Sequence, residues 1–514
     1  MPLSLRSVLR PVVRPVLRPV LRLAPRLAPR PGLPGLRSLL APFLVTVLLL
    51  GGVAGCAVNP VTGQREFTLI TESQEIQIGR DADGDITAAM GLVDDPGLQR
   101  YVQELGQRMA ERSERPDLPW TFRVLDDPLV NAFALPGGYI YVTRGILAHF
   151  ATEAELAGVL GHEIGHVTAR HGVRQVSRAQ LAQVTLGVGT VLFPEMEAFE
   201  GLLSGGMSLL LLRYGREAER QADDLGLAYM TGQSYDPREM AATFEMLYHA
   251  SGGEEADRLP GWLSSHPDPL ERRDRILQRV AQEGISGERV ERDSYLQRLD
   301  GLVFGPNPRE GYFRNGTFLH PDMAFRLEFP AGWRTVNQRQ VVQGVSPEQD
   351  ALLALTLASE DSPEAARSAF LGSQGITGGN LRSRTIHGLQ AATADFRAST
   401  PQGNLLGTVA FIAHQGQVFR ILGYAPEARW DARSGVVRGA VDSFQPVTDR
   451  TILDVQPRRI QLVRTDDAMT LEAFHERFPS TVPVETVGLI NRVRPGETIP
   501  SGTLMKRVTG QGAP

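Results

Sequence analysis

Cysteine is almost absent from this sequence of 514 residues, in which Cys56 is the only one. A framework of disulfides is therefore excluded, and the folded domains must be stable through their hydrophobic cores alone. With 42% hydrophobic and 22% charged residues, the chain has enough apolar side chains for large cores. Its length predicts about three domains.

An excess of positive charge is also missing once the first 55 residues are set aside. Those residues contain eight arginines and no acidic residue, so 45 of the 53 basic residues remain against 58 acidic ones, a net charge of −13. This balance argues against nucleic acid as a partner and disfavours unspecific adsorption to anionic lipid.

Apolar runs long enough to cross a membrane are lacking as well. The run at residues 181–212 is broken by Glu195, Glu197 and Glu200 into pieces shorter than the roughly 18 residues that a span needs. A packed helix pair or a lid is predicted there. The apolar segment at residues 39–50 is short, follows an Arg- and Pro-rich start and precedes small residues, which is typical of a secretory signal peptide at residues 1–55.

The end of this leader, Val53-Ala54-Gly55-Cys56, resembles the bacterial lipobox. The resemblance implies that Cys56 is the lipidated mature N-terminus, which would hold the protein on a lipid bilayer. Ala57, which is not Asp, resembles an outer-membrane address, so we expect a periplasm-facing lipoprotein of the bacterial cell envelope. A buried free cysteine is the alternative.

The pattern His162-Glu163-Ile164-Gly165-His166 is the HExxH motif. Residues four apart lie on one face of a helix, so two imidazoles can bind one zinc ion while Glu163 lies beside it as a base. Thr152 and Glu155 predict a capping box at the start of this helix, and Gly172 is predicted to end it. The alternative is a pair of surface histidines with this spacing by chance.

A catalytic zinc ion needs a third protein ligand, and Glu219 is the best candidate. Asp223 follows one helical turn later and can accept a hydrogen bond from a ligating histidine. On its own, such a Glu-x-x-x-Asp pair is more often a solvated helix face.

Four motifs stand in order along residues 57–280: the stretch at 131–145, HEIGHVTARH, Arg216-Glu-Ala-Glu219-Arg-Gln-Ala-Asp223, and His266-Pro267. Together they resemble the HtpX, BepA and CAAX-prenyl-protease family of zinc metallopeptidases, family forty-eight of the metallo class. One departure is visible, because Gly215 stands where this family usually has serine before the ligand helix.

The resemblance implies one zinc ion per chain, with His162, His166 and Glu219 as ligands and Glu163 as general base. It implies an exposed edge strand that binds substrate, formed by Asn131, Ala132, Phe133 and Ala134. It also implies a catalytic role for His266, either as a fourth ligand that latches the zinc or as a protonated group that stabilises the oxyanion. A surface histidine is the alternative.

The fold class expected is multidomain. A mainly α-helical gluzincin-type metallopeptidase domain with a small edge-strand sheet should occupy residues 56–295, followed by an α+β domain at 296–450. Residues 455–510 predict the order strand, helix, helix, strand and weakly resemble a LysM module, with Asp466 to Leu471 departing from the usual Gly-Asp-Thr-Leu. Peptidoglycan is therefore one alternative as a partner of these residues, and their packing against the preceding domain is the other.

The function predicted is a lipid-anchored zinc metalloendopeptidase. It should hydrolyse unfolded or misassembled envelope proteins with a water molecule that is activated at the zinc by Glu163. The alternative is a chaperone-like assembly factor or cell-wall-binding factor with a latent zinc site.

Overall fold

The computed structural model describes residues 56–186, 213–252, 261–400 and 403–512. The predicted signal peptide and most of the predicted lid at 181–212 lie outside these residues. Among the described residues, no helix combines the length and the apolar character that crossing a bilayer requires.

Helices dominate the first half of the described chain. A two-stranded hairpin, β1 (Cys56–Val58) and β2 (Arg65–Phe67), precedes α1 (Glu72–Met90), whose first turn is closed by a capping box between Thr71 and Gln74. Asp95 accepts hydrogen bonds from two backbone amides at the start of α2 (Pro96–Ala110). The other helices of this half are α3 (Arg144–His149), α4 (Glu153–Thr168), α5 (His171–Leu186), α6 (Arg216–Thr231), α7 (Arg238–Ala250), α8 (Trp262–Ser265), α9 (Pro269–Glu283) and α10 (Arg292–Gln297).

The HExxH helix, α4, ends earlier than predicted. Its end at Gly172 was predicted wrongly: the helix ends at Thr168, Arg170 takes a left-handed conformation with φ of 56°, and Gly172 lies inside α5. All 16 residues of α4 are buried, so it has no solvated face. The predicted capping box is present, with Thr152 and Glu155 bonded to each other's backbone amides. Helix α4 is therefore a central helix of the core.

A three-stranded sheet lies beside the zinc-motif helix. Strand β3 (Thr121–Leu125) runs parallel to β5 (Tyr139–Thr143), which pairs antiparallel with β4 (Ala132–Leu135) on its other side. The order β3-β5-β4 leaves β4 at the edge. This is the position in which a further extended segment can add by backbone hydrogen bonds.

A second, β-rich region follows α10. Its antiparallel sheet has seven strands in the order β12-β13-β14-β15-β11-β10-β9, and a four-stranded sheet has the order β16-β8-β7-β6. The strands are β6 (Tyr312–Arg314), β7 (Thr317–His320), β8 (Phe325–Glu328), β9 (Arg334–Asn337), β10 (Val342–Val345), β11 (Leu352–Leu357), β12 (Ile376–Ile386), β13 (Leu389–Thr400), β14 (Gly403–His414), β15 (Gln417–Pro426) and β16 (Gln445–Pro446). Helices α11 (Pro363–Leu371) and α12 (Trp430–Asp442) pack on the large sheet.

Two tight hairpins join the long strands of this region. His387 and Gly388 connect β12 to β13, and Gln415 and Gly416 connect β14 to β15, each pair with positive φ at both residues. Such turns match the right-handed twist of paired strands, and glycine at the second position allows the conformation without strain. The strand register is therefore fixed locally by the turns.

The tail has the predicted order of strand, helix, helix and strand. Strand β17 (Arg459–Arg464) pairs antiparallel with β20 (Leu504–Thr509), and α14 (Leu471–Arg477) and α15 (Val484–Asn491) lie between them in sequence. A helix of one turn, α13 (Arg450–Leu453), precedes the tail, and a small pair, β18 (Met469–Thr470) and β19 (Thr498–Ile499), completes it. Ile460, Phe474 and Met505 of the tail belong to the same buried cluster as Leu105 and Leu160 of the helical half. The tail thus shares a core with the helices.

Candidate metal centre

The two helices that carry the predicted zinc ligands, α4 and α6, cross at unusually short range. A Cβ atom on Gly165 would lie 3.0 Å from the carbonyl oxygen of Ala222, and one on Gly226 would lie 2.7 Å from the amide nitrogen of His162. Side chains at either position would push the helices apart, so glycine is needed for this close approach. The contact brings Glu219 of α6 next to the two histidines of α4.

His162, His166, Glu219 and His266 form a buried cluster whose ligand atoms all lie within 4.8 Å of one another. Nε2 of His162 lies 3.0 Å from Nε2 of His166 and 3.2 Å from Nδ1 of His266. An oxygen of Glu219 lies 3.0 Å from Nδ1 of His266 and 3.4 Å from Nε2 of His166. Four ligands arranged tetrahedrally at about 2.0 Å from a zinc ion would be about 3.3 Å apart, so this donor set fits zinc.

Groups behind the two motif histidines orient their rings. Nδ1 of His162 lies 3.0 Å from Oδ1 of Asp223, to which it can donate a hydrogen bond. Nδ1 of His166 lies 2.9 Å from Nδ1 of His171, whose Nε2 lies 3.0 Å from Oε1 of Gln221. Because Gln221 accepts through its oxygen, His171 carries its proton on Nε2 and accepts from His166 through Nδ1. Both motif histidines therefore present an unprotonated Nε2 to the cluster.

Arg272 of α9 holds the two carboxylates of α6. Its guanidinium group lies 2.5 Å from Asp223 and 3.0 Å from Glu219, and the side chain is only 4% exposed. The guanidinium carbon lies 4.3 Å from the ring centre of Phe244 and 4.6 Å from that of Trp262. This buried cation compensates negative charge that would otherwise be unpaired in the core.

The pKa values of the ligands favour the forms that bind a cation. Burial lowers the pKa of His162 to about 4, with Arg272 adding to the effect, and burial lowers the pKa of His166 to about 4. Burial would raise the pKa of Glu219, but His266, His166 and Arg272 hold it well below its ordinary value. At neutral pH the centre therefore contains two neutral imidazoles and a carboxylate, as a divalent metal requires.

Glu163 lies beside the cluster with one oxygen free. Its Oε1 lies 3.5 Å from the indole nitrogen of Trp262 and 3.6 Å from Nε2 of His266. Its Oε2 is buried and has no hydrogen-bond partner among the described residues. A fully buried carboxylate oxygen without a donor indicates a position for a proton-bearing reactant.

The predicted substrate strand lies next to the cluster. A narrow cavity of about 10 Å³ is lined by residues of β4 and by the metal-ligand helix, including Ala134, Pro136, His166 and Tyr214. The amide of Thr143 donates to the carbonyl of Asn131, so by alternation the backbone groups of Ala132 and Ala134 point away from β5. Phe133 stacks on Tyr141 of β5, at 4.8 Å between ring centres.

His171, Arg272 and Tyr214 belong to the centre although no role was predicted for them; of the three, only His171 lies in one of the motifs, as the last residue of HEIGHVTARH. The ring of Tyr214 stacks on His166, with 3.9 Å between centres. His171 reaches His166 because the chain turns at Arg170, and Arg272 reaches α6 from a separate helix. No pattern in the sequence distinguishes Arg272 from the other arginines of α9.

Gly215 precedes α6 without a side-chain cap, as its departure from the family pattern predicts. At the other end of the described chain, Cys56 pairs with Phe67 through the backbone of β1 and β2.

A buried His-His-Glu cluster, with both histidines on the HExxH helix and the motif glutamate alongside, is typical of a metallopeptidase centre. Residues 96–280 match the family model described as Peptidase family M48. This match confirms the recognition made from the motifs, which is a similarity to HtpX- and BepA-like metallopeptidases of the M48 family.

Three relatives show how far this similarity extends. The chain is 34% identical over 184 residues to the mitochondrial metalloendopeptidase OMA1 of Arabidopsis thaliana, covering 35% of this chain and 36% of that protein. It is 32% identical over 190 residues to a putative beta-barrel assembly-enhancing protease of Vibrio cholerae, covering 35% and 39%. It is 26% identical over 251 residues to the beta-barrel assembly-enhancing protease of Escherichia coli K12, covering 46% and 51%. The matching segment thus spans between about a third and half of these relatives.

Proposed function

We propose that this protein is a zinc-dependent metalloendopeptidase of the bacterial cell envelope. The observation that carries the proposal is the buried cluster of His162, His166 and Glu219 with the free carboxylate oxygen of Glu163 beside it. The M48 match and the metalloendopeptidase names of the relatives support the same activity.

His162, His166 and Glu219 would hold the zinc ion. When bound, zinc supplies Lewis-acid chemistry, polarising a scissile carbonyl and lowering the pKa of a water molecule towards about 7. Glu163 takes the proton of the attacking water on Oε2 and passes it to the leaving amine. Asp223 and His171 keep the imidazoles in the tautomer that binds metal, and Arg272 keeps Glu219 and Asp223 in place.

The substitution Glu163→Gln tests this mechanism. The amide keeps the shape of the side chain but cannot accept a proton, so cleavage of casein should fall by at least about 10²-fold. Zinc content, measured by atomic emission, should stay near one ion per chain. Casein cleavage at the wild-type rate in this variant would refute the mechanism.

Substrates would add to the free edge of β4. An extended chain can pair with the outward backbone groups of Ala132 and Ala134 without a sequence requirement, which suits a protease that meets unfolded chains. Asn131 offers a buried side-chain oxygen that has no partner among the described residues. By analogy with the relatives named as beta-barrel assembly-enhancing proteases, unfolded or misassembled envelope proteins are the substrates we propose.

His266 gives the site a second state. With Nδ1 3.0 Å from Glu219 and 3.2 Å from His162, it stands as a fourth donor in the cluster, which is the form of a closed, latent zinc site. This arrangement favours the role of His266 as a latch over its role as an oxyanion stabiliser. The same arrangement supports the alternative function, which is an assembly factor or a cell-wall-binding factor with a latent zinc site. Trp262 stacks on His266, and its backbone amide donates to Val130 beside the edge strand. Displacing Trp262 and His266 would expose both the metal site and the edge of β4.

The variant His266→Ala distinguishes these roles. If His266 is a latch, its removal should raise basal casein cleavage, because the fourth donor no longer competes with substrate. If it stabilises the oxyanion, kcat should fall by about 10²-fold or more. Unchanged cleavage would contradict both roles. An assembly activity that persists in Glu163→Gln and after zinc chelation would favour the alternative function.

Anchoring by lipid at Cys56 belongs to the same proposal and is supported by the lipobox-like sequence. Mass spectrometry of the mature N-terminus should find an acylated Cys56, and Cys56→Ala should abolish that modification. A wild-type protein with a free thiol in the soluble fraction would contradict the anchor and its outer-membrane location.

A further inference from the structure

Lys506 is the only lysine in the chain, because the other 52 of the 53 basic residues are arginines. It lies in β20 of the tail, and its side chain is completely buried. Lysine is among the residues least often found fully buried. A sole ammonium group in the core of an arginine-rich protein therefore indicates a specific partner.

That partner is the connection that leads into the zinc-motif helix. Nζ of Lys506 donates to the carbonyl oxygens of Ala148, at 2.9 Å, and Phe150, at 2.6 Å. These carbonyls lie at the end of α3, where a helix has no internal donors left and where a positive charge is favourable. In the described part of the chain Nζ forms no ion pair, so its contacts are to the backbone of this connection.

A second cation of the tail holds the other side of the same connection. Nε of Arg492 lies 2.6 Å from Oε1 of Glu155, whose side chain is fully buried. Oε2 of Glu155 accepts from the backbone amides of Ala151 and Thr152. Glu155 therefore closes the first turn of α4 with one oxygen and binds the tail with the other.

We propose that the tail is a positioning element of the peptidase, in which Lys506 and Arg492 fix the start of α4 and with it His162, Glu163 and His166. This inference rests on the proposed function. It assigns to the tail a role in positioning the active centre, which is different from glycan binding. A compact ammonium group can serve two converging carbonyls in a closed space, whereas a planar guanidinium needs a wider one.

The geometry of α4 explains how the effect reaches the metal. His162 follows Glu153 by nine residues, about 14 Å along a straight helix. The glycine contacts between α4 and α6 leave no space in which the two helices could compensate for a movement. A shift at the start of α4 would therefore change the position of Glu163 relative to Glu219 of α6. Burial lowers the pKa of Lys506 well below its ordinary value, with Arg492 adding to the effect.

The full-length variant Lys506→Met tests the proposal, since methionine has similar length and no donor. We expect kcat for casein to fall by about 10-fold or more with KM little changed, because a small misplacement of reacting groups affects rate more than binding. Amide hydrogen exchange should accelerate at residues 146–156. Arg507→Met is the matched control: Arg507 precedes Val508 on the same strand, faces the other side and contacts Gln461, so both readouts should stay at wild-type values.

A further variant keeps the test decisive if Lys506→Met does not fold. Arg492→Gln removes the partly exposed ion pair to Glu155 and should give a smaller effect of the same kind, with lower kcat and faster exchange at residues 150–156. If the wild-type protein itself does not cleave casein, the proposed function fails. Hydrogen exchange alone then decides whether the tail positions the start of α4. Unchanged kcat and exchange in the folded variants, with an active wild type, would overturn the positioning role and leave the proposed function intact.

Discussion

The metal centre and the core of the β-rich region bury side chains of opposite character. Around α4 and α6 the buried groups are His162, His166, Glu219, Asp223 and Arg272, each held by a charged or hydrogen-bonding partner. Under the seven-stranded sheet the buried cluster is apolar, and Phe325, Phe419 and Phe444 lie within it at 4.8 to 5.2 Å between ring centres. The first core depends on partners and the second on volume.

Among the substitutions considered, Arg272→Met should show the difference between the metal centre and the aromatic core most strongly. Two buried carboxylates would lose their cation, which typically costs about 3–5 kcal/mol of folding stability. Because Glu219 and Asp223 would also be less well oriented, zinc affinity should fall by about 10- to 100-fold. Thermal unfolding and competition with a zinc chelator measure the two effects.

Two comparisons make that prediction specific. Arg275→Met, on the same helix, removes a partly exposed pair with Asp224 and should cost only about 0.2–1 kcal/mol. Phe444→Ala, in the aromatic core, should cost about 3–5 kcal/mol like Arg272→Met but leave zinc affinity unchanged. If Phe444→Ala weakened zinc binding as much as Arg272→Met, the two cores would not be independent.

Local patterns explain which parts of this molecule the sequence could predict. The capping box of Thr152 and Glu155 and the spacing of His162 and His166 depend only on helical geometry, and the structure has both. In the β-rich region, the cap of α11 is a local pattern of the same kind, because the side chain of Ser362 accepts a hydrogen bond from the amide of Ala365.

Features that depend on distant partners could not be predicted in this way. Alternation of apolar and polar residues does not predict strand β12, because Gly378, Gly379 and Asn380 interrupt the pattern. Most side chains of this strand are exposed. His171 reaches His166 only because Arg170 adopts a left-handed conformation. Arg272 and Lys506 gain their roles from chain segments that lie 49 and 358 residues away in sequence. Sequence thus predicts which side chains meet in the cluster, whereas the residues that support them are brought there by tertiary packing.

The contact between the two regions offers the smallest predicted effect. Burial and the nearby Asp126 raise the pKa of Glu310 from its ordinary value to about 7. Asp126 is also the ion-pair partner of Arg144, whose guanidinium donates to the carbonyls of Val303 and Gly305. Glu310 therefore adds a further carboxyl group beside the contact of Arg144 with Val303 and Gly305, which joins the helical half to the β-rich region.

The sign of its pH dependence follows from the raised pKa. The folded protein holds the proton of Glu310 more tightly than the unfolded chain, so its contribution to stability is present below about pH 4.5 and is lost as the pH rises to about 7. Glu310→Gln keeps a neutral group at every pH and should raise the Tm by about 1 °C at pH 8, with no gain near pH 4.5. The effect is small because the side chain is 38% exposed and solvent screens it. Glu328→Gln, at an exposed position of the same region, should shift the Tm at neither pH. An equal shift of Glu310→Gln at both pH values would show that Asp126 and Glu310 do not repel each other across this contact.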